Sequence, residues 1–339
     1  MRAIVKSNIK DLVPLVPLPS EDELRLLGGN YFVRPSDSRR LEYFVSGNTN
    51  ESRAVVNLVT TNSTGLFYYQ YRQNKISSLL QKFHTKLINI STAGVGPSEP
   101  YGDYLGQIDS ETYLKKTCND VIALLKYLGV KEVITMGISG GWEPSACLAE
   151  ALLQAKNSEI QLRGVINIAG IPWQTQNNDF WERTLGTGCG RWITMKIMES
   201  SVAPYMWYSL MIPTLLDPAK MKASMKNIDE VSASHGDVLD SMIENMGRAN
   251  KYSLFVTTYL GQLTTSSIQS KLPEKYADLK RFNDVPVHLH LSSKDELVPT
   301  EKTKPWFMDQ MPHAEHFDNG LSHVCIPFEE SIERMLVLL

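Results

Sequence analysis

Gly137-Ile138-Ser139-Gly140-Gly141 decides how the rest of the 339 residues are read. The run Glu132–Ile138, largely β-branched and apolar, leads into it and reads as a strand. After it Ala146, Ala149, Leu152 and Leu153 mark an Ala/Leu-rich helix. A serine between the two lies on a sharp strand-to-helix turn, where the backbone comes close to itself and the neighbours must lack side chains. The helix offers its free N–H groups and positive dipole end to a developing oxyanion. Bare G-x-S-x-G is common by chance, and its competing reading is a Gly-Ser turn without function. With this strand and helix around it, Ser139 reads as a nucleophile.

Outward from the motif, strands and helices alternate. Ala54–Thr60 and Lys86–Ile90 are short apolar runs, Asn74–Phe83 reads helical, and Tyr113–Leu128 carries a helical stripe through Leu114, Val121, Leu124, Leu125 and Leu128. Leu162–Ala169 is a further strand. Upstream, Asn30–Arg34 and Leu41–Val45 form a strand pair around the turn residues Pro35-Ser36-Asp37. Residues 1–30 read as an extension, with Pro14, Pro17 and Pro19 followed by a capping box at Ser20-Glu21-Asp22-Glu23 and a short helix. Beyond residue 171 the alternation stops. Residues 172–284 read as several helices, and hold four of the six Trp and most of the 13 Met. It resumes with a strand at Val285–Leu291, a helix at Lys304–Met311, a strand at Ala314–Phe317 and a helix at Glu329–Leu339. The expectation is an α/β core, 31–171 with 285–339, built on a mostly parallel, doubly covered sheet, with a helical insertion over 172–284.

Composition excludes several classes. Apolar residues are 42% and charged residues 21%, so a full core can form and disorder is not expected. A net charge of −3 and the lack of a basic run argue against a nucleic-acid partner. No stretch approaches the 18 apolar residues or so of a spanning helix, and the N-terminus lacks an uninterrupted apolar signal segment. The four cysteines form no C-x-x-C pair, which argues against zinc or a disulfide framework. The expected setting is cytoplasmic.

A nucleophilic serine needs a base, itself oriented by an acid. His288 and His290 are two apart on one strand and face one side; a satisfied core pair is favoured over a metal site. His84 and His235 have no motif around them. His323 follows Asn319-Gly320-Leu321-Ser322, a loop after the last strand from which a base could reach the sheet edge. Asp295 follows the strand Val285–Leu291, so the order is Ser139, Asp295, His323, as expected of a triad built on this turn. Glu296 is the rival acid, and His313 and His316 are the rival bases.

These segments resemble the α/β-hydrolase superfamily from about residue 40 to the C-terminus, the insertion aside. Ile88-Asn89-Ile90-Ser91-Thr92-Ala93-Gly94-Val95-Gly96-Pro97-Ser98 is similar to the family's strand and loop ending in G-x-G-x-S. Gly137 to Gly141, through Pro144 to Leu148-Ala149, resembles its nucleophile elbow, and Val285-Pro286 through Asp295 to Val298-Pro299 its acid-bearing strand and loop. Two features differ. Thr60-Thr61-Asn62-Ser63-Thr64-Gly65 stands where the family has His-Gly, which puts Asn62 where the oxyanion donor should come. Ser91 and Ala93 replace an Asp and an Arg usual in the next loop. Serine at 139 argues against the dehalogenase and epoxide-hydrolase members, which use a carboxylate.

The resemblance implies a serine hydrolase of carboxylic esters or related acyl compounds with an apolar portion. Ser139 would attack, His323 would move the proton, Asp295 would fix the imidazole, and the N–H groups of Gly140 and Asn62 would hold the oxyanion. No metal or organic cofactor is implied. Residues 172–284 resemble the family's cap, from which Trp173, Trp181 and Trp207 could line an apolar pocket, although most such aromatics serve packing. A non-hydrolytic small-ligand-binding protein on the same fold, or an acyltransferase or lyase using the same triad, remain the alternatives.

Overall fold

The computed structural model describes residues 19–59, 65, 69, 73–99, 101, 110–155, 159–170, 219, 279–295, 298–321 and 328–339. The chain enters through α1 (Glu21–Leu26), capped as the sequence predicts: the Ser20 hydroxyl accepts the Glu23 N–H, and the Glu23 carboxylate accepts the Ser20 N–H. Next come β1 (Gly29–Val33) and β2 (Arg40–Ser46), paired antiparallel. The turn between them is held by the buried Arg34 guanidinium, which grips both Asp37 oxygens at 2.9 and 2.8 Å and lies 4.4 Å over the Tyr101 ring.

The alternating part follows as β3 (Arg53–Val59), α2 (Gln73–Lys82), β4 (Lys86–Ser91), α3 (Ser110–Tyr127), β5 (Glu132–Ile138), α4 (Trp142–Gln154) and β6 (Gln161–Ile168). After the stretch 171–278, of which only Ala219 is described, the chain resumes with β7 (Val287–His290), α5 (Thr300–Gln310), β8 (Glu315–Phe317) and α6 (Phe328–Leu338). Eight strands form one sheet in the order β1-β2-β4-β3-β5-β6-β7-β8. From β4 through β8 every pairing is parallel. The α/β expectation holds. The expected boundaries of β5 agree with the structure, and the other described elements fall within a few residues of theirs.

Both faces are covered, as the unbroken apolar strands require. Ala54, Val56, Leu58, Ile88, Ile90, Val287 and Leu289 belong to one core with residues of α3, α4 and α5. Val55, Leu87, Ile134, Met136, Ile166 and Ile168 belong to a second core with α2 and α6. His288 and His290 lie on this second face, where Ser331 and Arg334 of α6 reach them. The parallel register brings the functional loops together. Ile138 is level with Ile168, Ile168 with His290, and His290 with Phe317. The residues after β5, β6, β7 and β8 therefore leave the sheet at one edge. In open α/β sheets that edge is where ligands bind.

Candidate active site

Ser139 starts a single 3-10 turn, Ser139–Gly141, between β5 and α4. Its φ is +51°, in the left-handed region that a residue with a Cβ enters at a cost of about 1–3 kcal/mol. Two glycines make the turn possible. A Cβ on Gly137 would lie 2.6 Å from the Trp142 Cα, and one on Gly141 would lie 2.5 Å from the Leu58 carbonyl oxygen. The second contact also places the end of β3 against the turn. Within α4, the Ser145 hydroxyl donates to the Met136 carbonyl at 2.7 Å and ties the helix back onto its strand. Pro144 falls in the first turn of α4, where a missing N–H costs nothing. Ser139 remains half-buried. The arrangement lifts one hydroxyl off the sheet edge beside a helix N-terminus.

The acid candidate lies on the same edge. Asp295 is 5% exposed, and one carboxylate oxygen accepts the Val298 N–H at 2.7 Å. Its own N–H donates to the Ser292 carbonyl at 3.1 Å, closing the turn after β7. The Thr300 hydroxyl donates to that same carbonyl. The turn is fastened to the loop after β8. The Ser292 hydroxyl donates to the Leu321 carbonyl, and the N–H and hydroxyl of Ser293 donate to Asp318 at 3.0 and 3.3 Å. Asp318 also accepts the Gly320 N–H at 2.8 Å. Burial pushes the Asp318 carboxyl up, but these N–H and hydroxyl donors outweigh it and hold it below the usual carboxylate range.

His323 and Asn62 lie outside the described residues, as do Glu296, Trp173, Trp181 and Trp207. Ser139, Gly140 and Asp295 are described, at the C-terminal edge of the sheet. The rival base His313 is elsewhere: it meets the Val285 carbonyl at 3.2 Å, before the N-terminal end of β7. His316 sits within β8 opposite Leu289, and burial with the nearby Lys304 charge lowers its pKa. His288 and His290 are buried and face α6. His290 Nδ1 is 2.6 Å from the Ser331 hydroxyl, whereas the His288 ring makes no hydrogen bond among the described residues and has Glu315 at 4.0 Å. Burial, then neighbouring positive charge, lowers His288 to about 4; burial, then His288 and Arg334, lowers His290 to about 3. Both are neutral at pH 7. Among the described residues no group of three His, Cys, Asp or Glu could hold a metal ion, and no helix is long and apolar enough to cross a membrane.

Sequence reasoning passed over Ser292, Ser293 and Asp318. The signal was available in Asp318-Asn319-Gly320, a turn-forming stretch whose Asp can accept backbone N–H groups.

No family model matches the chain, and no curated protein matches it. Solved structures do. A hydrolase from Pseudomonas aeruginosa aligns at a TM-score of 0.58 and 14% identity, covering 91% of this chain and 98% of that one. A carboxylesterase of the thaumarchaeon Nitrososphaera gargenis aligns at 0.58 and 16%, covering 91% and 97%. An α/β hydrolase from a Medee basin deep-sea metagenome library aligns at 0.54 and 14%, covering 91% and 96%. At such identities the likeness concerns architecture: the chain has the α/β-hydrolase fold.

Proposed function

We propose that the chain is a serine hydrolase of carboxylic esters or related acyl compounds with an apolar portion. The observation that carries this reading is the strained turn at Ser139. A non-glycine residue at φ +51° between two glycines that cannot bear a Cβ is a costly local structure, and such strain clusters where a side chain must be presented. Asp295 on the same sheet edge, on a turn fastened to the chain just before His323, supports the rest. The solved hydrolase, carboxylesterase and α/β hydrolase with the same architecture are consistent with the reaction class.

In this reading Ser139 Oγ attacks the acyl carbonyl while the His323 imidazole takes its proton. Asp295 holds the imidazole in the tautomer whose free nitrogen faces the serine. The negative charge that develops on the carbonyl oxygen is met by the N–H groups of Gly140 and Asn62. His323 then protonates the leaving alcohol, and water, activated by the same imidazole, releases the acid from the acyl-enzyme. In the same reading residues 172–284 would serve as the helical cap expected from the sequence, and Trp173, Trp181 and Trp207 would supply apolar contact to the substrate. The buried free thiols of Cys118 and Cys147, pushed above the ordinary range chiefly by burial, are compatible with a cytoplasmic setting.

The test is turnover of p-nitrophenyl esters of graded acyl length by wild type and by Ser139→Ala, with circular dichroism to verify folding. Hydrolysis that is lost in the folded alanine variant is expected. Undiminished hydrolysis in that variant, or none in wild type across the series, would sink the reading in favour of a binding protein.

A further inference from the structure

The ladder between β2 and β4 ends in side chains. Its last backbone pair is Tyr43 with Ile90, so the next positions are Glu42 and Ser91. Here the Ser98 hydroxyl stands between the strands, accepting the Glu42 N–H at 2.8 Å and donating to the Ser91 carbonyl at 2.6 Å. The Ser91 hydroxyl donates to the Glu42 carboxyl and accepts the Gly65 N–H at 2.8 Å. Its neighbour Thr92 grips the Val59 carbonyl with both its N–H and its hydroxyl, each at 3.0 Å. Val59 and Gly65 flank residues 60–64. Both shoulders of that segment thus hang on Ser91-Thr92, and Ser91 hangs on Glu42.

We propose that Glu42 is a positioning residue whose carboxyl, through the Ser91 hydroxyl, fixes the Gly65 amide and so one shoulder of the segment 60–64. Its consequence for rate rests on reading that segment as the oxyanion loop; its consequence for Gly65 does not.

The chemistry of the corner makes the device sensitive to pH. Glu42 is 1% exposed, and among the described residues no cation bonds its carboxyl. Tyr31 of β1 stands opposite Glu42 in the strand register and feels its charge together with those of Arg40, Glu99 and Glu21. Arg40 is occupied, 3.1 Å from Glu99 and lying 4.9 Å over the Tyr31 ring. Burial pushes the Glu42 carboxyl up to about 8, against the opposing pull of the Ser91 hydrogen bond. Glu42 is therefore largely protonated at pH 7 and ionises in mildly alkaline solution, with no cation bonded to its carboxyl among the described residues. A carboxylate accepts more strongly than a carboxylic acid, so ionisation tightens the Ser91 hydrogen bond, and a Ser91 hydroxyl drawn toward the anion accepts the Gly65 N–H more strongly.

The experiment reads amide exchange at Gly65 and the rate of fluorophosphonate labelling at Ser139, at pH 7 and pH 9.5, in wild type, Glu42→Gln and Ser91→Ala. Far-UV circular dichroism verifies folding. Ser91→Ala should cut protection at Gly65 about tenfold at pH 7, the worth of one buried hydrogen bond. In wild type the protection factor, corrected for intrinsic base catalysis, should rise roughly fivefold between the two pH values, as the charge-assisted bond strengthens. Glu42→Gln keeps the shape but cannot ionise, so this rise should vanish, and the labelling ratio between pH 9.5 and pH 7 should fall in parallel. Gly65 protection that ignores both substitutions overturns the proposal, as does an equal alkaline change in wild type and Glu42→Gln. If Gly65 responds as expected while no variant is labelled at Ser139, the positioning role stands and the hydrolase reading has failed.

Discussion

The smallest unit of the site is a single backbone dihedral. Ser139 pays for its φ of +51° because a hydroxyl is wanted there, so removing the Cβ should release strain while destroying activity. Ser139→Gly is expected to be inactive and about 1 kcal/mol more stable than Ser139→Ala, read from urea unfolding. Equal stability would mean that the turn stores no strain. Asn62 admits two roles that mutation separates. As a backbone donor it survives Asn62→Ala with a small change in acylation rate. As a side-chain donor it would cost about 10²–10³ in rate. The backbone role is expected, since β3 ends three residues before Asn62 and its Leu58 lies directly against the nucleophile turn. A hundredfold fall in a folded Asn62→Ala variant would assign the side chain instead.

At the scale of elements, the loops after β7 and β8 behave as one unit. Asp318 collects the donors of Ser293 and Gly320, and Ser292 reaches Leu321, two residues before His323. Asp318→Asn should therefore lower kcat about tenfold, the effect of misplacing a base, with KM little changed and the melting temperature within a few degrees of wild type. A change in KM alone would show that the loop serves binding. Much of this level was legible in the sequence. The β-branched run before Gly137 marked β5, and Pro35-Ser36-Asp37 marked the hairpin whose turn Asp37 in fact secures. Glu42 was not legible. It sits in Leu41-Glu42-Tyr43-Phe44-Val45, and alternation would send it to solvent. Instead β2 is covered on both sides, so the carboxyl is buried and finds Ser91, a partner that only the fold brings near. Similarly, α1 reads as part of an extension, yet Leu24 packs against Phe44 of β2 through a contact invisible to local spacing.

Among the described residues, three buried groups have large shifts that act on stability between about pH 3 and 8. His288 and His290 are neutral when folded and titrate near 6.5 when unfolded, so the unfolded chain binds more protons as pH falls below 6.5. Their contribution, several kcal/mol together, is present above about 6.5 and is lost on acidification toward their folded values of about 4 and 3. Glu42 acts oppositely. Its folded value of about 8 lies above the ordinary 4.5, so its contribution is full below 4.5 and declines as pH rises to 8. Between 4.5 and 6.5 two histidines outweigh one carboxyl; above 6.5 only the carboxyl acts. These three groups therefore place maximum stability near pH 6.5. Urea midpoints from pH 4 to 9 should trace that dome, and Glu42→Gln should flatten its alkaline side; a midpoint still rising at pH 8 would contradict the assignment. In the proposed hydrolase one serine of the whole chain is activated. Exposure of the intact protein to a fluorophosphonate, followed by peptide mapping, should find a single adduct on Ser139, none in Ser139→Ala, and a labelling rate that falls as pH drops through about 6.5, where an unperturbed imidazole takes up its proton. An adduct on any other serine, or an unmodified Ser139 in folded protein at pH 8, would contradict it.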